Sequence, residues 1–229
     1  MTQISLLFQD NELLIINKPA GVRSVPDGYD DQLPHLRSIL EPEFGVLWMV
    51  HRLDKETSGV MVLARNPDAH RDLNQAFRDR QVSKKYHALV APKPEWGEKT
   101  VNLPLRTDAD RQHRTRVDQV KGKSALTKFT VSKWFEESVL LEIEIFTGVT
   151  HQIRAHLRAF DLAILGDDLY SAGLGPQPAT TPRMMLHARE ISFTHPATGA
   201  RHHFTAPYPD DFREAYQLLR STRDPDAWI

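Results

Sequence analysis

The chain contains no cysteine. That excludes a disulfide framework, a thiolate zinc site, an iron–sulfur cluster and a cysteine nucleophile, and it fits a reducing compartment. No apolar run approaches the roughly 18–20 residues of a membrane span. The N-terminal stretch MTQISLLFQDNE has no basic region ahead of an apolar core, so no signal peptide is expected and the expected setting is the cytoplasm. Nor is there an excess of either charge: 29 Lys and Arg stand against 30 Asp and Glu, a net charge of −1 with the eleven histidines neutral. A globally basic coat is excluded. A local basic face is not, because the field at a groove depends on how charge is distributed. From Arg106 to Lys133 there are eight Lys or Arg against three Asp, while the chain after Tyr208 is rich in aspartate. The middle third is therefore where a polyanion is expected. With 229 residues, 40% of them hydrophobic and 26% charged, the balance is that of an ordinary globular chain. There is no internal repeat, low-complexity tract or long linker, and residues 1–229 are expected to form a single domain.

Local patterning supplies the elements. Leu13–Asn17 reads as a buried strand running into a turn at Lys18-Pro19-Ala20-Gly21. Gln32–Leu40 has helical spacing and is expected to stop at Pro42. Ser58–Arg65 reads as a central strand. Asn66-Pro67 then supplies an N-cap with proline at the first helical position, for a helix to about Arg80 with Ala69, Leu73, Ala76 and Phe77 on one face. Val82–Val90 alternates as a strand, with Tyr86, Ala88 and Val90 on one face and Lys85, His87 and Leu89 on the other. Leu126–Phe135 and Val139–Phe146 suggest an antiparallel pair. Thr150–Phe160 suggests an amphipathic helix capped by Thr150, with Ile153, Leu157 and Phe160 inward. His195–Gly199 suggests a turn between two strands, and Asp210–Leu219 a closing helix. Ala172–Pro182 reads as a mobile surface loop. This irregular order favours an α+β fold with a mixed, mainly antiparallel sheet over a doubly wound one.

Several familiar motifs fail. Gly122-Lys123-Ser124 lacks the glycine a phosphate-binding loop needs five residues earlier, where Val117 stands, and it leads into a strand. His151 and His156 are five apart, and no His-Glu-x-x-His spacing occurs, so a zinc site is not indicated. No Gly-x-Ser-x-Gly elbow is present for a serine hydrolase.

What remains is a set of segments whose local pattern is either a polar turn or a working loop. His51-Arg52-Leu53-Asp54-Lys55-Glu56-Thr57-Ser58-Gly59 lies just ahead of the expected central strand. Lys84-Lys85-Tyr86-His87-Ala88-Leu89-Val90 follows, and then Gly148-Val149-Thr150-His151-Gln152-Ile153-Arg154-Ala155-His156-Leu157. With NKPAGV ahead of them and LHAREISFTHP behind, these segments occur in an order that resembles the RluA family of RNA pseudouridine synthases, over about Phe8 to Phe212. The HRLD-x-x-TSG and HQIR blocks together are highly specific. The resemblance implies a sheet in two halves, flanked by helices, with a central catalytic cleft. One departure stands out: the family commonly has arginine where this chain has Val149, which bears on substrate identity more than on chemistry. The small RNA-binding domain that many relatives carry ahead of the catalytic one is not expected here.

The reaction implied is isomerisation of a uridine within RNA. The N1–C1′ bond breaks, the base turns, and C5 bonds to C1′, with no redox change, no group transferred away and no cofactor. The resemblance assigns the required carboxylate to Asp54, and assigns Arg154 as the ion-pair partner that keeps it charged in a cleft where burial would raise its pKa; such a guanidinium is worth about 1–3 units, and lysine would lose its planar fork. It assigns Tyr86 to stacking on the base and assisting proton transfer from C5. The target base is expected to be flipped out of its stack, with Arg52 filling the gap, while His51 is expected to be structural. Binding is expected through phosphate contacts and RNA shape. Arg106, Arg111, Arg114, Arg116, Lys121 and Lys123 are candidates, with Lys84 and Lys85 nearer the site. The expected partner is structured tRNA or rRNA, met by a monomer with no membrane and no nucleotide cofactor. Two alternatives stay open: a weak or inactive RNA-binding module on the same scaffold, and a carbohydrate-active hydrolase, which needs a second carboxylate for which Glu56 is the nearest candidate.

Overall fold

A computed structural model describes residues 4–28, 30 and 32–221. The first three residues of the N-terminal stretch, and Asp224 and Asp226 of the acidic tail, lie outside the described residues. The chain forms two compact units, one from the chain up to Lys84 joined by His187–Pro207, the other from Lys85–Leu186 and the chain from Tyr208 on. Both are α+β, and their strands pair mainly antiparallel.

In the first unit, β1 (Ser5–Gln9) and β2 (Leu13–Lys18) form an antiparallel pair. The turn between them is set by Asp10, whose carboxylate accepts the N–H groups of Glu12 and Leu13. β2 pairs antiparallel along β4 (Ser58–Ala64). Every residue of β4 is buried, as expected for a strand covered on both faces. Its other edge takes β12 (Leu186–Thr194) in parallel at Ser58 and Gly59, and the short β3 (Trp48–Met49) antiparallel at Leu63 and Ala64. β13 (Arg201–Thr205) returns antiparallel to β12 through the expected turn.

Two helices belong to this unit. α2 (Pro67–Arg78) begins as the sequence indicates: the Asn66 side chain accepts the Ala69 N–H, proline sits at the first position, and Ala69 and Leu73 are buried. The first helix is shifted from its expected span. α1 runs Leu36–Phe44, opened by a capping box between His35 and Ser38, and it passes through Pro42 instead of stopping there. The missing Pro42 N–H removes a single helical bond near the C-terminal end. The Arg37–Glu41 pair spans that turn at 2.8 Å, and the helix closes only at Gly45, whose N–H reaches the Glu41 carbonyl.

The second unit is built on antiparallel strands in the order β5 (Ser83–Ala91), β10 (Val139–Ile145), β9 (Leu126–Trp134) and β6 (Glu98–Asn102). The short β11 (Ala163–Ile164) lies against β5, and β7 (Leu105–Arg106) with β8 (Arg116–Val117) makes a separate ribbon. α3 spans Gln152–Arg158, and its cap differs from expectation. His151, in the left-handed region at φ 55°, is the N-cap residue and makes no side-chain cap bond. Thr150 instead accepts the Thr115 hydroxyl on its carbonyl. No side chain caps this helix; Gln152 instead ties the turn that leads into it, its Oε1 accepting the Val149 N–H and the Thr147 hydroxyl. α4 (Asp210–Ser221) is fastened at its first turn by a bidentate Arg183–Asp211 pair at 2.7 and 2.8 Å. Residues 172–182 hold no helix or strand, as expected; Gln177 tethers them by accepting the Gly166 N–H.

Gly59 is the residue on which the parallel contact in the first unit depends. Its φ is +121°, and a Cβ there would sit 2.2 Å from the Ala188 carbonyl oxygen. Gly59→Ala is expected to cost more than the roughly 1–3 kcal/mol of ordinary overpacking, because backbone strain adds to the clash. Urea denaturation of the variant checks this, and an unchanged midpoint would contradict the packing described.

Candidate active site

Asp54 lies in the loop between β3 and β4, and the backbone on both sides of it is pinned. On one side, the Ser24 hydroxyl donates to the Leu53 carbonyl at 2.7 Å and accepts the Leu53 N–H at 3.1 Å. On the other, the Lys55 carbonyl accepts the Gly21 N–H at 2.9 Å and the Lys18 ammonium at 3.1 Å. The Thr57 N–H closes the turn onto the Asp54 carbonyl. Lys18, last residue of β2, is fully buried, and its Nζ also donates to the carbonyls of Pro19 and Val22 at 2.9 Å each. Asp54 itself is half-buried. Arg52, two residues earlier, is exposed and has no side-chain partner among the described residues.

His51 is structural, as expected. Its Nε2 accepts the Val62 N–H at 3.0 Å, filling the stretch of the β4 edge between its pairings with β12 and β3. The ring stacks on Phe77, centroids 5.0 Å apart. Burial, helped by the nearby Lys84 charge, pushes its pKa down to about 3, so the ring is neutral with its proton on Nδ1. Lys84 lies with Nζ 5.8 Å from the centroid of the same Phe77 ring, and burial pushes it down to about 8. Downstream of the loop, Ser58 faces the buried His187 at 2.9 Å. Glu56 stands beside Lys55 at 3.6 Å, both substantially exposed, which makes it a poor second carboxylate for a hydrolase.

Tyr86 and Arg154 belong to the second unit. Tyr86 is buried on β5 opposite Ile143 of β10. On the other face of β5, as the alternation predicts, Lys85 pairs with Glu142 at 3.1 Å and His87 bonds to the Tyr208 hydroxyl. Arg154 projects from α3 into a fork-to-fork pair with Asp167: Nε to Oδ2 at 2.7 Å and Nη2 to Oδ1 at 2.8 Å. The Arg154 side chain is 10% exposed and that of Asp167 1%. The guanidinium carbon stands 4.7 Å from the centre of the Tyr170 ring, and the Tyr170 hydroxyl accepts the Thr115 N–H at 2.7 Å. Asp167, Tyr170 and Lys18 are the residues to which sequence reasoning gave no role. The adjacent acids of Gly166-Asp167-Asp168-Leu169-Tyr170 and the lysine ending the apolar run of β2 were the available signals.

The basic stretch is less available than its count suggests. Arg114 and Arg116 both bond Asp110 at 2.8 Å, and Arg106 stands 3.3 Å from Asp118. Partial burial alone would raise the Asp110 pKa, but hydrogen bonds from Arg114 and two backbone N–H groups outweigh it and hold the carboxyl at about 2. Arg111, Lys121 and Lys123 are exposed, and their side chains join no ion pair among the described residues. Among the described residues, no three His, Asp or Glu side chains cluster as metal ligands, and no helix is long and apolar enough to cross a membrane.

Comparison with known proteins identifies the chemistry. Residues 12–159 match the family described as RNA pseudouridylate synthase. The dual-specificity RNA pseudouridine synthase RluA of Haemophilus influenzae is 38% identical over 205 residues, covering 89% of this chain and 92% of that protein. Its namesake in Escherichia coli K12 is 35% identical over 204 residues, covering 88% and 92%. Among solved structures, human RNA pseudouridylate synthase domain containing 4 superposes with a TM-score of 0.78 at 29% identity, over 94% of this chain and 93% of that one. Human RNA pseudouridylate synthase domain containing 1 shares the fold, with a TM-score of 0.76 at 24% identity over 98% and 97%. These relatives favour neither the inactive RNA-binding module nor the hydrolase. The chain belongs to the RNA pseudouridylate synthase family and is an isomerase that converts uridine to pseudouridine in RNA.

Proposed function

We propose that Asp54 is the catalytic carboxylate, that Tyr86 and Arg154 complete one active site with it, and that the whole chain works as a single catalytic domain, a cytoplasmic monomer acting on structured tRNA or rRNA. The observation that carries this reading is the pinned loop around Asp54: its neighbours on both sides are hydrogen-bonded, so the carboxylate is aimed by the fold, while Arg52 beside it is left exposed for substrate. In this reading Asp54 acts at the nucleoside as the N1–C1′ bond breaks, and an N–H of Arg154 bonds its carboxylate and keeps it ionised. Arg52 enters the gap left by the flipped base. The buried Tyr86 ring packs on the extruded uracil, and its hydroxyl helps move the C5 proton once the new C–C bond has formed. Arg111, Lys121 and Lys123 contribute phosphate contacts, with Arg106, Arg114, Arg116 and Lys85 adding to the field from within their ion pairs and Lys84 from its place over the Phe77 ring. The dual-specificity name of the bacterial relatives supports more than one RNA as substrate.

Asp54→Asn is expected to abolish pseudouridine formation while leaving RNA binding intact and steeply salt-dependent. Reverse-transcription mapping of pseudouridine in RNA from deletion and complemented cells, with filter binding of the purified protein, checks both parts. Turnover by the Asn variant would remove the catalytic assignment. Loss of RNA binding in step with product would leave the loop a binding element only.

Tyr86→Phe keeps the ring and removes the hydroxyl. It is expected to fold and bind RNA normally while turnover falls about 10²–10⁴-fold, the usual weight of a positioned acid or base. Normal turnover would refute the proton-transfer role.

Lys84 gives a pH test. Its native pKa of about 8 lies below the ordinary lysine value, so burial of its charged form destabilises the fold below about pH 8, and the penalty fades as pH rises toward the unfolded value of about 10.4. Lys84→Met is therefore expected to melt at a higher temperature than the parent at pH 7, with the gap narrowing by pH 10. A gap that is constant or widens with pH would contradict it.

A further inference from the structure

The Arg154–Asp167 pair is more elaborate than a surface ion pair and is expensive to bury. A buried ion pair costs desolvation that its attraction repays only with excellent geometry, and apolar residues of the same volume often do as well for stability. Here the geometry is that of a clamp. Asp167 takes the Nε–Nη2 edge of the guanidinium with both oxygens, and Tyr170 covers one face. The clamp is itself fixed. Asp167 Oδ1 also accepts the Tyr170 N–H at 3.2 Å, and the Asp167 carbonyl accepts the N–H groups of Tyr170 and Ser171 at 3.2 and 3.0 Å. The Tyr170 hydroxyl is held at Thr115 and lies 3.2 Å from His151 Nδ1. Gly166 just before has φ +76°, and a Cβ there would lie 2.0 Å from the Arg183 carbonyl oxygen, so the approach of the backbone to Asp167 is also set.

A guanidinium is planar, so fixing the Nε–Nη2 edge and one face fixes the direction of the Nη1 N–H bonds as well. We propose that Asp167 is a positioning residue: by clamping one edge of Arg154, it determines which N–H groups Arg154 presents to the catalytic carboxylate. This rests on the reading of Arg154 as the partner of Asp54. It also changes what Arg154 supplies. Its charge is already balanced by Asp167, so it offers Asp54 oriented N–H donors more than an unopposed positive charge. Lysine, with a single nitrogen, cannot hold Asp167 by one edge and serve a second carboxylate from another.

The test is a double-mutant cycle on turnover. Asp167→Asn, Arg154→Lys and the double variant are assayed by single-turnover tritium release from unmodified [5-³H]uridine-labelled tRNA and rRNA transcripts, with filter binding and thermal melting alongside. Asp167→Asn in the parent background is expected to lower the rate by up to about 10²-fold, the size of a small misplacement of a catalytic group, with RNA affinity unchanged. In the Arg154→Lys background the same substitution is expected to change the rate little, since residues acting as a unit are not additive. An equal loss in both backgrounds, or a loss that tracks melting or RNA affinity, would overturn the proposal and make Asp167 a stabilising residue only. An unchanged rate for Asp167→Asn beside a crippled Arg154→Lys would overturn it while sparing the role of Arg154. Full activity of Arg154→Lys would sink both. If the Asn variant does not fold, Asp167→Glu, which keeps the charge but displaces the fork, takes its place with the same outcomes.

Discussion

A buried ammonium holds the loop that carries Asp54. Lys18 has no exposure to solvent, and three backbone carbonyls converge on its nitrogen, from Pro19, Val22 and Lys55. Stripping water from a charge is costly unless hydrogen bonds replace it, so the turn after β2 and the loop before β4 must both stay where their carbonyls serve the ammonium. The stem of Lys18 ends a strand that is itself in the core, paired at this point with Gly59. The position of Asp54 is thereby referred back to the β2–β4 pairing, the most deeply buried part of its unit. This is the kind of reference a reaction needs when its catalytic group must be placed to within an ångström.

The four residues His51-Arg52-Leu53-Asp54 divide their work by direction. His51 turns inward and gives its Nε2 to a strand-edge N–H that neither neighbouring strand takes, a group that would otherwise be an unsatisfied donor. Leu53 is buried and bonded through its backbone to Ser24. Arg52, between them, is exposed, and Asp54, after them, is half-buried. The neutral state of His51 follows from its environment: a ring stacked on Phe77, with a lysine charge nearby, has nothing to stabilise a second proton. A residue type that usually announces acid–base chemistry is here a hydrogen-bond acceptor in a sheet.

Most strands are legible because burial on both faces leaves unbroken apolar text, as in β4, and half-burial leaves alternation, as along Lys85–Ala88 of β5. The misjudged boundaries are those where a side chain replaced the expected local rule. Pro42 reads as a stop, but the helix needs only to survive one missing bond; Thr150 reads as a cap, but the helix opens at His151 without a side-chain cap, and Gln152 ties the preceding turn from inside the helix. The site divided in the same way. Asp54, Tyr86 and Arg154 lie in segments whose order resembles a known family, whereas Asp167 sits thirteen residues beyond Arg154 in an irregular turn, and nothing local separates it from the adjacent Asp168. The pairing within the basic stretch is not visible in its residue count, for a physical reason. Counting residues adds charges as if they were independent, and three aspartates within or beside it match Arg106, Arg114, Arg116 and, by hydrogen bond, His113.

Val149 shows how a turn can be tied to the core beside it. It lies between the end of β10 and the start of α3, and it packs on a small buried cluster of Leu105, Ala125, Ala155 and Tyr170. Ala155 follows Arg154 on α3, and Tyr170 is the ring against which the guanidinium lies. A long cation at this position would have to leave the cluster to reach water, whereas valine joins it and ties the turn entering α3 to the packing that surrounds Arg154. The backbone N–H of Val149 is meanwhile taken by Gln152, so the turn is held by a polar contact on one side and an apolar one on the other. The consequence for Arg154 is continuity: the helix that carries it, the ring that faces it and the turn that leads to it share one small core, and the Asp167 clamp is built onto that core.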